Sequence, residues 1–255
     1  MNSLHIFGDS FSETITSLYN NSGITERQQY SKEYLNSDTF PIWSETLSEL
    51  IGYEHKNYSG QCGKNFEHLG QGNSNHSILY NLSEYCHTFK KDDIVIIGFT
   101  NPSRFPWPID KPYPYPNYNV FNSLPTMSHD NLSKLDSEII NYITVKRQHD
   151  FYKEELIQNM KSFEVLSEVV GFKLYYWSWF SGINNYKKEE KISDKRWIFN
   201  QIDDKLGWNY NKLIETNGGN TITNETNGKI QDNHMGKSGN DTHAILMYNY
   251  LKNII

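Results

Sequence analysis

Apolar positions along the chain fall into two patterns, short unbroken runs and longer stretches at helical spacing. Leu4 to Phe7 is a short apolar run ending in Gly-Asp-Ser, the pattern of a first strand entering a turn. Ile42 to Ile51 sets Ile42, Leu47, Leu50 and Ile51 at helical spacing, and Tyr53 to Tyr58 predicts a short second strand. Ile78 to Phe89 reads as a helix. Ile94-Val-Ile-Ile-Gly98, introduced by Asp92-Asp93, is continuous and β-branched, as expected of a strand buried on both faces of a parallel sheet. Leu132 to Val170 predicts helix, in two segments with a break near Arg147 to Asp150, and Phe172 to Trp179 predicts an aromatic strand. Ser238 to Ile254 gathers Ala244, Ile245, Tyr248, Leu251 and Ile254 near one face of a terminal amphipathic helix.

This alternation of strands and helices predicts an α/β fold with a mostly parallel sheet covered by helices on both faces. No internal repeat or composition break divides the chain, so residues 1–255 are expected to form one domain. One stretch departs from the pattern. Six of the eight prolines lie between Pro102 and Pro116, interleaved with Phe105, Trp107, Tyr113 and Tyr115. Prolines at that density exclude a helix or a central strand, so residues 101–130 are expected to form an insertion loop, either a surface cap or a substrate-binding element. Lys187 to Lys191 reads as a solvated charge run, and the Asn-, Thr- and Gly-rich stretch Thr216 to Gly228 as a loop.

Composition narrows the classes. The chain is polar, with 36% hydrophobic residues and a mean hydropathy of −0.71, yet aromatics make up 15%, enough for a packed core. The 29 Asn beside a single Ala, Ala244, fit A/T-rich coding, and make any one Asn a weak functional marker. A net charge of −6 argues against non-specific nucleic-acid binding. No run approaches a membrane span and the first residues lack a signal-peptide pattern, so a cytoplasmic protein is expected, virion-associated if phage-encoded. Cys62 and Cys86 cannot build a disulfide framework, and Cys62 reads as a small buried residue rather than a nucleophile. There is no His-Glu-x-x-His or paired-Cys pattern, so neither a metal nor another cofactor is expected.

Ligands of open α/β sheets sit beyond the carboxyl ends of the strands. Ser10 follows the first strand there, Thr100 and Asn101 follow the third, and Trp177 and Trp179 end the fourth. Asp232-Asn-His234 precedes the last helix. A Ser, a His and an Asp so distributed have the composition of a nucleophile, a general base and its orienter. Asp241 and His243 form a rival pair, but they lie two apart within a helix and so point in different directions.

Gly8-Asp9-Ser10 after an N-terminal strand, with Asp232, His234 and Gly239 before the last helix, resembles the SGNH, or GDSL, hydrolases. The resemblance implies a three-layer α/β/α, flavodoxin-like sandwich, with Ser10 as nucleophile, His234 as base and Asp232 as orienter. The family more often separates that Asp and His by two residues, and here there is one. Gly72-Asn-Ser-Asn75 is similar to the second family block, which makes Gly72 the oxyanion glycine; Gly60 and Gly63 are rivals. Asn101 takes the place of the third block's amide donor, with Thr100 and Asn75 as alternates. The oxyanion hole implied is thus the Ser10 and Gly72 N–H groups with the Asn101 amide.

The expected activity is hydrolysis of a small acyl ester, such as an O-acetyl ester of a carbohydrate. Asn75, Arg104, Trp107, Trp177 and Trp179 are candidate substrate contacts, since aromatics stack on sugar rings and Arg104 suits a carboxylate. A lipase-like esterase, a thioesterase or an acyltransferase would use the same residues. A non-catalytic carbohydrate-binding or structural protein on this fold is the alternative from another class.

Overall fold

The computed structural model describes residues 1–9, 12, 26–59, 75–100, 105–109, 117–121, 151–179, 194–198 and 210–255. Four strands form a parallel sheet: β1 (Ser3–Phe7), β2 (Glu54–Asn57), β3 (Ile94–Phe99) and β6 (Lys173–Ser178), in the order β2-β1-β3-β6. Two further strands, β4 (Phe105–Ile109) and β5 (Asn117–Phe121), pair antiparallel by themselves. Seven helices are described: α1 (Glu26–Leu35), α2 (Trp43–Ile51), α3 (Asn75–Tyr85), α4 (Phe151–Val170), α5 (Tyr210–Thr216), α6 (Ile222–Glu225) and α7 (Lys237–Leu251).

Side chains alternate across a strand, and both sides of the central strands are buried, with Ser3 and His5 of β1 the polar exceptions among apolar residues. Leu4 and Ile6 of β1, Ile94 and Ile96 of β3, and Tyr175 and Trp177 of β6 face α2, α5 and α7, where they meet Trp43, Leu47, Ile214, Ala244 and Met247. Phe7, Val95, Ile97, Phe99, Leu174 and Tyr176 face the other way, against Ile78, Leu79 and Leu82 of α3 and Leu156, Ile157 and Met160 of α4. Helices therefore cover both faces of the sheet, an α/β architecture compatible with a three-layer α/β/α fold. The unbroken apolar run at Ile94 reflects this double burial. The polar strand β2, Glu-His-Lys-Asn, takes an edge, where charge discourages further pairing.

Two expectations are corrected. The proline-rich segment is not purely loop, because β4 and β5 make a ribbon in which Pro106 opposes Val120 and Pro108 opposes Tyr118. A two-stranded ladder draws N–H groups only from alternate residues, so prolines two apart fit on its outer edge. The Thr216–Gly228 stretch includes the one-turn helix α6, capped by the Thr221 hydroxyl, which accepts the Asn224 N–H at 3.3 Å. Helix α1 has no apolar periodicity and is unforeseen; Tyr30 anchors it in a small cluster with Phe40, Ile42, Ile222 and Ile230. The break near Arg147 and the Lys187 charge run lie outside the described residues. No helix among the described residues is long and apolar enough to cross a membrane.

Candidate active site

From β1 the chain runs through α1 and α2 to the β2 edge, and after β2 it returns past β1 to β3. Connections thus leave the adjacent strands β1 and β3 toward opposite sides, the kind of switch point beyond whose carboxyl ends open α/β sheets bind ligands. At that edge the Ser12 N–H donates to the Asp9 carbonyl at 2.9 Å, and the Ser12 carbonyl accepts from Asn57 Nδ2 at 2.7 Å. The Ser12 side chain lies against Gly8 and Gly98, and the Trp177 indole edge also crosses Gly98, so a Cβ at Gly98 would strike both. Ser10, between Asp9 and Ser12 in the chain, lies outside the described residues, as do Gly60, Gly63, Gly72, Asn101 and Arg104. Trp107 falls within β4.

The second part of the site is the turn between α6 and α7. The Asp232 carbonyl accepts from the Thr223 N–H at 3.0 Å and from its hydroxyl at 2.9 Å, and the His234 carbonyl accepts from the Ile222 N–H at 2.9 Å. With its backbone held, the Asp232 carboxylate folds over the residue two positions on. Its Oδ1 accepts both the His234 N–H, at 2.8 Å, and His234 Nδ1, at 2.5 Å. A single intervening residue is therefore compatible with an orienting carboxylate. The bond to Nδ1 makes Nδ1 the protonated nitrogen and leaves Nε2 as the acceptor, the tautomer a general base requires. The His234 side chain is 28% exposed, so the ring is reachable.

Two further charges act on this pair. Asp232 Oδ2 faces Arg27 Nε of α1 at 3.9 Å. Asp9, at the end of β1, acts on His234 from the strand side, and its own carboxylate is fixed by the Trp179 indole N–H at 2.9 Å. Burial holds the His234 imidazole below its ordinary range; Arg27 pushes the same way, while Asp232 and Asp9 oppose it. Burial would raise the Asp232 carboxyl, but the bonds and charge of His234, together with Arg27, hold it below the usual range. The His234 turn thus lies within electrostatic reach of Asp9, just past β1, although about 220 residues separate them in sequence.

The remaining candidates separate by environment. Asn75, buried at the start of α3, donates from Nδ2 to the Thr100 carbonyl at 3.1 Å and accepts the Thr100 N–H at 2.8 Å. It braces the end of β3, with its side-chain oxygen already occupied. Trp177 does not face a substrate, contrary to expectation. It is fully buried and meets Trp43 and His243 edge-on, because alternation along β6 turns it into the core. His243 is likewise fully buried between those two tryptophans, and burial drives its pKa well down. Asp241 pairs with Lys237 at 2.6 Å, so it does not partner His243. Among the described residues no cluster of His, Cys, Asp and Glu could hold a metal ion. Sequence reasoning missed Arg27, which lies in a helix without an apolar pattern, and the Asp9–Trp179 bond.

Gly239 has a packing role. A Cβ there would come within 2.4 Å of the Asn220 carbonyl oxygen, so the first turns of α7 can close on the preceding loop only with glycine. Comparison with protein-family models, curated proteins and solved structures finds no match to this chain.

Proposed function

We propose that this protein is a serine ester hydrolase of SGNH type, with Ser10 as nucleophile, His234 as general base and Asp232 as orienter. The observation that carries the reading is the His234–Asp232 bond, within electrostatic reach of Asp9, the residue that precedes Ser10. The strand order and the helices on both faces are further support.

A neutral serine is a weak nucleophile and requires a base. His234, proton-bearing on Nδ1, takes the Ser10 hydroxyl proton on Nε2 as the oxygen attacks the ester carbonyl. Asp232 stabilises the imidazolium that forms and remains ionised. The imidazolium then protonates the departing alcohol, and the same base activates water to release the acyl group from Ser10. The N–H groups of Ser10 and Gly72 and the Asn101 amide are the proposed donors to the tetrahedral oxyanion, where loss of one donor typically costs about 10²–10³ in rate. The substrate proposed is a small acyl ester, with an O-acetylated carbohydrate as the leading class.

The test is covalent labelling. A fluorophosphonate probe should modify Ser10, and Ser10→Ala should abolish both labelling and turnover of p-nitrophenyl acetate. Unchanged turnover in Ser10→Ala would overturn the assignment.

A further inference from the structure

We propose that Arg27 is a positioning residue of this site: its guanidinium engages Oδ2 of Asp232, so that Oδ1 is committed to His234. The inference rests on the hydrolase reading for its kinetic consequence, and on geometry for the contact itself.

The two carboxylate oxygens of Asp232 have separate duties. Oδ1 accepts two bonds from His234, and Oδ2 faces Arg27 Nε at 3.9 Å. Both side chains are largely buried, Arg27 at 16% exposure and Asp232 at 10%, so the contact is shielded from solvent more than a surface pair would be. A carboxylate with one oxygen opposite a guanidinium resists rotation about its terminal bond, which keeps Oδ1 on the imidazole. The connection is long-range: α1 lies about 200 residues before the Asp232 turn. Tyr30, one helical turn after Arg27, ties α1 to the same region through its hydroxyl, which donates to Glu225 and accepts the Lys237 N–H.

The positive charge has a second effect. The charged groups acting on His234 are Asp232 from its own turn, Arg27 from α1 and Asp9 from β1. The two carboxylates favour the imidazolium. Arg27 opposes it, in the same direction as burial. Arg27 therefore keeps the base neutral at lower pH than the two carboxylates alone would allow, while leaving the hydrogen bond that orients it.

The experiment follows the His234 ring by NMR titration in the full chain, for wild type, Arg27→Gln and Arg27→Lys, beside pH profiles of kcat/KM with p-nitrophenyl acetate. Arg27→Gln should raise the His234 midpoint, and kcat/KM at low pH should fall relative to that at pH 8. Arg27→Lys, which keeps the charge, should return both toward wild type. At the high-pH plateau Arg27→Gln should also lower kcat/KM severalfold through the loosened carboxylate, and in an Asp232→Asn background that loss should shrink, which a general structural role would not produce. If Arg27→Gln does not fold, the Arg27→Lys titration decides: a midpoint at or near wild type supports the proposal, and a full upward shift despite the retained charge overturns it. An unchanged midpoint together with an unchanged plateau kcat/KM in folded Arg27→Gln also overturns it. The titration requires no substrate, so absence of turnover in wild type would remove the hydrolase reading without touching this test.

Discussion

Asn75 and Thr100 hold each other through a reciprocal pair of hydrogen bonds, side-chain amide to backbone in both directions, at 2.8 and 3.1 Å. The pair joins the first residue of α3 to the residue after β3, next to the candidate oxyanion donor Asn101. Asn75→Ala would leave both Thr100 backbone groups buried without partners. Urea unfolding should show a loss of about 2–3 kcal/mol. Asn75→Asp should also destabilise, because a carboxylate accepts the Thr100 N–H but repels the Thr100 carbonyl.

Removal of charge from Asp232 should act on both rate and titration. Asp232→Asn is expected to lower kcat for p-nitrophenyl acetate by about 10²–10⁴, since the imidazolium loses its counter-charge. Asp232 acts to raise the His234 pKa, so its loss should move the His234 NMR midpoint below that of wild type. A midpoint that rises instead would contradict the electrostatic arrangement.

Glu225 organises the start of α7, just past His234. Its carboxylate accepts the Lys237 and Ser238 N–H groups at 3.2 and 3.0 Å, and also the Ser238 and Tyr30 hydroxyls. Anions are favoured at helix N-termini. Glu225→Ala should cost about 2 kcal/mol and speed hydrogen exchange at the amides of Lys237 and Ser238. Unaltered exchange there would show that the cap is dispensable.

Gly239→Ala tests the close approach to Asn220. The added methyl meets a backbone oxygen that cannot rotate away, so a destabilisation of about 1–3 kcal/mol is expected from thermal or urea unfolding.

Stability should decline as the solution is acidified below about pH 6.5. Burial pushes His55 down to about 4 and also lowers His5 and His243. A histidine with a folded pKa below its unfolded value contributes stability that is full above the unfolded value. That contribution is lost as pH falls toward the folded pKa. For His55 the window runs from about pH 6.5 down to about 4, and after allowance for its partial exposure the contribution is roughly 2 kcal/mol. Urea titrations between these limits should flatten in His55→Gln. A wild type equally stable across the window would count against these shifts.

Strand β3 could be read directly from its residue pattern, because a strand buried on both faces is apolar throughout. Helix α7 was placed correctly, but its buried face is Asn240, His243, Ala244, Met247 and Leu251. Ile245 and Ile254 of the expected stripe are exposed, because packing against α2 rather than the apolar count sets the helix rotation. The Asp232–His234 pair could be read as well, since its hydrogen bonds span two residues and depend on a local turn. What the pattern could not supply was the direction in which residues at a strand end point. Trp177 and Trp179 look alike as candidates, yet one sits in the core between Trp43 and His243 and the other reaches Asp9.

By itself, then, the sequence determined an α/β chain with buried parallel strands, and it singled out Ser10, Asp232 and His234 as residues on segments expected to converge at one sheet edge, because apolar runs and turn residues are encoded in neighbouring positions. Only the tertiary structure decided that α1 forms without an apolar period, that His243 is enclosed in the core, and that Arg27 faces the far oxygen of Asp232. Those outcomes depend on charges and rings brought together across 200 or so residues. Their energies come from packing and desolvation, which no local window of the chain contains.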